Sequence, residues 1–573
     1  MEKKQAVNAY SLFSLIVGLA WPGPGPASLS AQIRFTDVTG PAGIDHRFVV
    51  FEGMFGGGAC VFDLNRDGFE DLYLTGGMND DVLYLNQTDG TFKNVFAGAG
   101  LERTKNYVTQ GVTAADVNRD GWVDLFITTI KEKNGAQQIP RAPNLLFLNN
   151  GDNTFRDATA AFGLERLYSF STGACFGDFN ADGFPDLYVG NYFQEYEGPL
   201  SEINDATIVN ASKTARSYLL LNKDGKGFED VFEDYGMNHR GFGFGGVFTD
   251  FDNDGDQDLI ALNDFGYKAK PNYLLRNNYP DESFSYVEKE YGMDLRINAM
   301  TAAVGDYDNN GWLDYFITNI KFNRFMVSQG AGRPFQDKLL ELGMSMFTIS
   351  WGANFADFDH DGDLDLFVAN GDLNPNCVPM GDFLFENRSG KFQDVARAAG
   401  VNDYGLGRGS VIFDLENDGD MDLLVVNQQP VKDYPVASVT HLFRNDSAQG
   451  NWLKVALAGT DSDKNGLGAR VRVVVRGLGT LLREIDGGGS SHLSQNSTVA
   501  HFGLGRAEQV DSVIVTWPGN RTQVLTNQPV NRLLTIAQPP EMKKKSSKSL
   551  YLRLFILALF LLAVGLKFRR RPA

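Results

Sequence analysis

The sequence predicts an all-β protein: a seven-bladed β-propeller whose N-terminal strand closes the last blade, then a small C-terminal β domain and one transmembrane helix. Three observations predict it. A nine-residue pattern, D-x-[DNE]-x-[DN]-G-x-x-D, occurs seven times, beginning at Asp63, Asp116, Asp178, Asp250, Asp306, Asp357 and Asp414. The intervals of 51 to 72 residues match the scale of a four-stranded propeller blade with its loops. The 63 glycines follow no G-X-Y period, and 43% of the chain is hydrophobic, which suits a turn-rich β core rather than collagen or disorder.

Taken in order, residues 1–31 read as an export signal: Lys3 and Lys4, an apolar run from Leu12 to Trp21, then small residues to Ala31. That run is too short to span a bilayer, and Pro22, Pro24 and Pro26 follow at once. Residues 32–446 read as the propeller. In each repeat a Gly/Ala-rich segment such as GGGACVFD precedes the loop, a strand such as DLYLTG follows it, and a third strand such as LLFLNN comes next. A fourth begins at Phe92, Phe155, Phe228, Phe284, Phe335 or Phe392, which makes six. The seventh is supplied by Phe35 to Thr39, whose sequence repeats the fourth-strand pattern ahead of the first blade and is expected to pair near His441 to Arg444, removing exposed sheet edges. Residues 447–538 read as a small β domain, 539–549 as a basic linker, 550–568 as a transmembrane helix and 569–573 as a cytoplasmic tail. The expected location is therefore exported, at the cell surface or in the periplasm, anchored by that last helix.

The loops carry the chemistry. Acids or asparagine at positions 1, 3 and 5, Gly at 6 and Asp at 9 set oxygen donors on one side of a tight reversal, as in the first half of an EF-hand loop, but strands rather than helices flank them. An oxygen-only donor set points to a hard cation, Ca2+ before Mg2+, with up to seven ions. The candidate metal ligands are Asp63, Asn65, Asp67 and Asp71; Asp116, Asn118, Asp120 and Asp124; Asp178, Asn180, Asp182 and Asp186; Asp250, Asp252, Asp254 and Asp258; Asp306, Asp308, Asn310 and Asp314; Asp357, Asp359, Asp361 and Asp365; and Asp414, Glu416, Asp418 and Asp422. Asp-Gly turns serve hairpins well without metal, but seven unneutralised carboxylate clusters would repel strongly. Seven divalent ions would bring the net charge from -19 to -5. The loops starting at Asp250, Asp357 and Asp414 hold four acids each, and by that count should bind more tightly than the three-acid loops. Asp461-x-Asp463-x-Asn465-Gly466 copies half of such a loop, but Ala469 at position 9 makes it a plain turn.

The acidity excludes a nucleic-acid binder, which needs a basic footprint. Cys60, Cys175 and Cys377 make no disulfide framework, the six histidines form no close-spaced metal pair, and neither G-x-S-x-G nor a phosphate loop occurs. A second candidate set lies in the turns after each fourth strand: His46, Arg47, Arg103, Arg166, His239, Arg240 and Arg296. It reads either as a solvated rim or as a ring for an acidic glycan or a partner's carboxylates on the face opposite the calcium loops, beside the long insertion Gln194 to Arg216.

At these residues the chain resembles FG-GAP/VCBS-type repeats, whose seven-bladed propeller also heads integrin α chains. Asn451-Trp452-Leu453, Asn465 to Val471, His501 to Gly505 and Val515 to Pro518 resemble the ASPIC/UnbV module. The order of parts is similar to that of cartilage-acidic-protein-like and bacterial ASPIC/UnbV proteins. The resemblance implies an extracellular calcium-binding protein and establishes no reaction. The expected function is a non-enzymatic surface binding or adhesion protein. The alternative is a calcium-dependent lyase or hydrolase working on acidic glycans at the propeller channel, for which no carboxylate pair outside the loops stands out as general acid and base.

Overall fold

The computed structural model describes residues 33–540 apart from 53–55, 136–139, 195–213, 374–376 and 448–449. Within them, seven antiparallel sheets follow one another around an axis. Ala59–Phe62, Asp71–Leu74, Val82–Asn86 and Phe92–Asn94 form the first, each strand beside its predecessor. The sixth carries a short fifth strand, Ile320–Lys321, on Thr348–Ala356. The first strands line the axis, and Gly407–Phe413 of the seventh sheet packs on Ala59–Phe62 of the first, which closes the ring. Phe35–Asp37 completes the seventh sheet by pairing with Asn445, Arg444 and Phe443.

Two repeated devices join neighbouring sheets. The phenylalanine that opens a fourth strand packs on the apolar position-2 residue of the preceding sheet's loop: Phe35 on Phe358 at 5.3 Å between ring centres, Phe284 on Phe179 at 5.9 Å, Phe392 on Tyr307 at 5.8 Å. Each buried ring contributes about 1.5–3 kcal/mol of apolar transfer. Beside it, the asparagine ending the third strand donates its side-chain amide to the position-2 carbonyl of the same preceding loop. Asn86 reaches Leu415 O (3.0 Å), Asn149 Leu64 O (3.2 Å), Asn222 Val117 O (2.9 Å), Asn277 Phe179 O (2.7 Å), Asn387 Tyr307 O (2.9 Å) and Asn445 Phe358 O (2.9 Å). The fifth sheet has Ser328 at this place, too short to cross.

The C-terminal domain is two sheets packed on a core of Val471, Val513, Val515, Phe502 and Trp517. Leu533–Ala537 runs parallel to Asn451–Ala458. The domain sits on the loop face and sends residues 486–497 down the axis. There Gly487 bridges Phe176, Gln495 bridges Cys60, Ser494 Oγ accepts from Ala59 N (3.0 Å) and Leu493 O accepts from Val112 N (3.1 Å). The Gly-rich first strands make room for it: a Cβ at Gly58 would lie 2.3 Å from Leu493 O.

The expectation of a transmembrane helix is corrected. Among the described residues the single α-helix is Ala396–Ala399, and no helix is long and apolar enough to cross a membrane. Four residues make about 6 Å of helix against ~30 Å of hydrocarbon. The expected span, 550–568, lies outside the described residues, as do the export signal at 1–31 and most of the 194–216 insertion. Membrane anchoring, in the location and partner readings alike, is therefore withdrawn.

Candidate metal centre

Every loop is wound the same way. Position 4 (Arg66, Arg119, Ala181, Asn253, Asn309, His360, Asn417) has φ of 55–64°, and the position-6 glycine has φ of 85–99°, a left-handed value that glycine adopts at little cost. This winding turns the backbone amides inward. In all seven loops the position-5 N–H donates to one carboxylate oxygen of the position-1 Asp at 2.9–3.2 Å and the Gly N–H to the other at 2.7–3.0 Å. The position-9 Asp is fixed from the next hairpin, accepting the N–H of the residue that ends the third strand at 2.7–2.9 Å.

Three loops bring carboxylate oxygens within 4.8 Å of one another: Asp250, Asp252 and Asp254; Asp306, Asp308 and Asp314; Asp357, Asp359 and Asp361. These aspartate clusters could hold metal ions. In the first three loops the position-3 asparagine instead donates to the position-5 Asp: Asn65 to Asp67 (2.9 Å), Asn118 to Asp120 (2.9 Å), Asn180 to Asp182 (2.8 Å). In the seventh, Glu416 reaches out to Arg444 at 3.7 Å.

Burial, then mutual repulsion, pushes these carboxyls up: Asp252 and Asp361 to about 6, Asp178 and Asp359 to about 7, and Asp258, Asp357 and Asp365 well above the carboxylate range. For Asp71 and Asp124, at about 7 and about 8, burial is again the largest cause. Asp186 Oδ2 and Asp252 Oδ1 are buried without a hydrogen-bond partner. Crowded, desolvated carboxylate oxygens, two of them without a hydrogen-bond partner, fit a hard divalent cation, which would hold them ionised.

The seven cationic turn residues do not share one setting. His46 is buried between Thr440 Oγ1 (2.7 Å) and Thr75 O (2.8 Å), and burial lowers it to about 4. His239 is buried against Tyr273 at 4.6 Å and Tyr286, and burial lowers it to about 3. Arg103 is held by Asp157 (2.6 Å) and Glu165 (2.8 Å), and Arg296 lies 3.4 Å from Asp294. Arg240 donates to Thr214 O at 3.4 Å, while Arg47 and Arg166 are exposed.

Two cations that motif reasoning passed over sit on the loops. Lys454 Nζ lies 2.7 Å from Asp414 Oδ2 and 2.7 Å from Asn417 Oδ1. Arg470 Nη1 lies 3.1 Å from Asp250 Oδ2, and its Nη2 lies 3.7 Å from Glu484. Both belong to the C-terminal domain.

The FG-GAP-like repeat family matches residues 63–127, 136–189, 250–317 and 357–425, and the ASPIC and UnbV family matches 459–543. Cartilage acidic protein 1 of Xenopus tropicalis is 25% identical over 508 residues, covering 84% of this chain and 74% of the frog protein. The Mus musculus protein is 25% identical over 514 residues, 85% of this chain and 74% of the mouse protein, and the Homo sapiens protein 25% over 509, 84% of this chain and 72% of the human protein. Among solved structures an Agrocybe aegerita lectin aligns with a TM-score of 0.35 at 15% identity, over 61% of this chain and 81% of its own, too loosely to inform fold or function. The chain thus carries FG-GAP-like repeats followed by an ASPIC and UnbV domain, and it is similar over most of its length to cartilage acidic protein 1.

Proposed function

We propose that this is a secreted, non-enzymatic calcium-binding protein whose seven loops each take a Ca2+ ion through the side chains of positions 1, 3, 5 and 9. The observation that carries the reading is the gathering of three carboxylates within 4.8 Å in the fourth, fifth and sixth loops, with a buried unpartnered oxygen on Asp252. Similarity to proteins named for cartilage and for acidity supports it, since this chain shares the acidity with a net charge of -19. Loops of this kind bind at ~0.1–1 mM in extracellular modules, which suits a medium of ~1 mM calcium.

The glycan lyase or hydrolase alternative places its substrate in the propeller channel. Residues 486–497 enter that space and bond to its walls, which counts against it. The test is titration of the EDTA-stripped protein with calcium and with magnesium, counting ions by native mass spectrometry. Several calcium ions per chain, with magnesium binding more weakly, are expected. No uptake of calcium would sink the reading.

A further inference from the structure

The C-terminal domain does not meet the loops evenly. It lays Lys454 on Asp414 and Arg470 on Asp250, with the side chains of all four residues 2–6% exposed. Both targets are position-1 acids of loops that hold four carboxylates. Toward the three-carboxylate second and third loops it presents the opposite sign. Asp463 is fully buried, one of its carboxylate oxygens has no hydrogen-bond partner, and its charge bears on Asp116 and Asp178. The sixth loop is the exception. It too has four carboxylates, and no Lys or Arg nitrogen among the described residues lies within 4.0 Å of Asp357, Asp359, Asp361 or Asp365, but the buried Arg483 of the same domain bears on Asp357 and Asp306 from farther away.

We infer that Lys454 and Arg470 are affinity-setting residues, which make the seventh and fourth loops weak cation sites, against the order that acid count gives. The inference rests on the calcium reading above. A fixed positive charge hydrogen-bonded to a ligand carboxylate repels a divalent ion on the same carboxylate, and burial keeps solvent from screening that repulsion. The same ammonium and guanidinium neutralise Asp414 and Asp250 when no ion is bound, so the two loops are built to be stable empty. By linkage, calcium entering either loop weakens the contact between propeller and C-terminal domain, and a tighter contact expels calcium.

The experiment uses the full-length protein, EDTA-stripped and titrated with calcium under native mass spectrometry, beside Lys454→Met and Arg470→Met, with melting temperatures taken in EDTA and in saturating calcium. For the wild type, two ions are expected to enter at least ~tenfold more weakly than the rest. Each variant should move one ion into the tight group, and should melt lower than wild type in EDTA but not in saturating calcium. Variants that melt lower by the same amount in both media, with unchanged titrations, would make the two residues structural clamps and overturn the inference. If neither variant folds, the wild type decides alone: seven ions entering in one phase overturn it. Uptake of no calcium at all removes the calcium reading itself, whereas one-phase uptake removes only this inference.

Discussion

Asp124 accepts the N–H groups of Val117 and Asn149, so one carboxylate closes its own loop and receives the hairpin that follows. Its raised pKa, with those of its neighbours, sets a pH dependence. The apo clusters hold protons up to about 6 to about 8, at Asp252, Asp116 and Asp124 for example, whereas unfolded aspartates release them near ~3.9. Between those values the native apo state binds more protons than the unfolded state, so its stability falls as pH rises through that window. In EDTA the melting temperature should therefore be higher at pH ~5.5 than at pH ~8; a flat or opposite profile would contradict the assignment. With calcium bound the sense reverses, because protons compete for the same oxygens, and calorimetry in two buffers of different ionisation heat should show proton release on binding near pH 7. A second residue-scale expectation concerns Asn149. Replacing it with Ala strands the buried carbonyl of Leu64 and should cost about 1–3 kcal/mol, read from chemical denaturation. An unchanged midpoint would show that this bond contributes nothing.

At the scale of elements, the loops and the all-β, repeat-rich character were legible because both impose strict spacing on residue types that turns and strands cannot exchange. The paired acids of Asp357, Asp359 and Asp361 could be read directly. The third-strand asparagine was equally regular, in LLFLNN, YLLLNK and FLFENR, but its partner is a carbonyl in another sheet, and backbone acceptors leave no mark in sequence. Lys454 and Arg470 were illegible for a related reason: each meets its acid from another domain, and neither is part of a repeat. The triple glycine Gly487 to Gly489 reads as a turn, although it begins the segment that descends the axis. That segment predicts the outcome of crowding its path. Gly58→Val places side-chain carbon where Leu493 O now lies, so the descending segment should be displaced and become cleavable in limited proteolysis between residues 486 and 497. Resistance equal to wild type would show that the strand can yield instead.

For the whole molecule, metal bound as proposed and ring closure each carry enough free energy to shift the folding equilibrium. At ~1 mM calcium a site of ~0.1 mM dissociation constant stabilises by about 1.4 kcal/mol, and several such sites rival the ~5–15 kcal/mol net stability of a domain. Chelation should lower the calorimetric melting temperature by many degrees; no change would overturn the calcium reading. Deleting residues through Thr39 should destabilise as well, because it bares the edge of His441–Asn445 and removes Phe35 from its place on Phe358. The pairing of Thr36 with the segment around Asp446, 410 residues later, has a further consequence during synthesis. At ~5–20 residues per second the first strand emerges roughly 20 to 80 s before its neighbour exists, so the ring cannot close while most of the chain is being made. Through that interval a strand whose Phe35 has no burial site waits unpaired beside six growing sheets that resemble its proper partner. The nascent chain thus carries its greatest risk of mispairing at its oldest residues, and ribosome-bound chains stalled before Leu442 should bind a chaperone that full-length released chains do not.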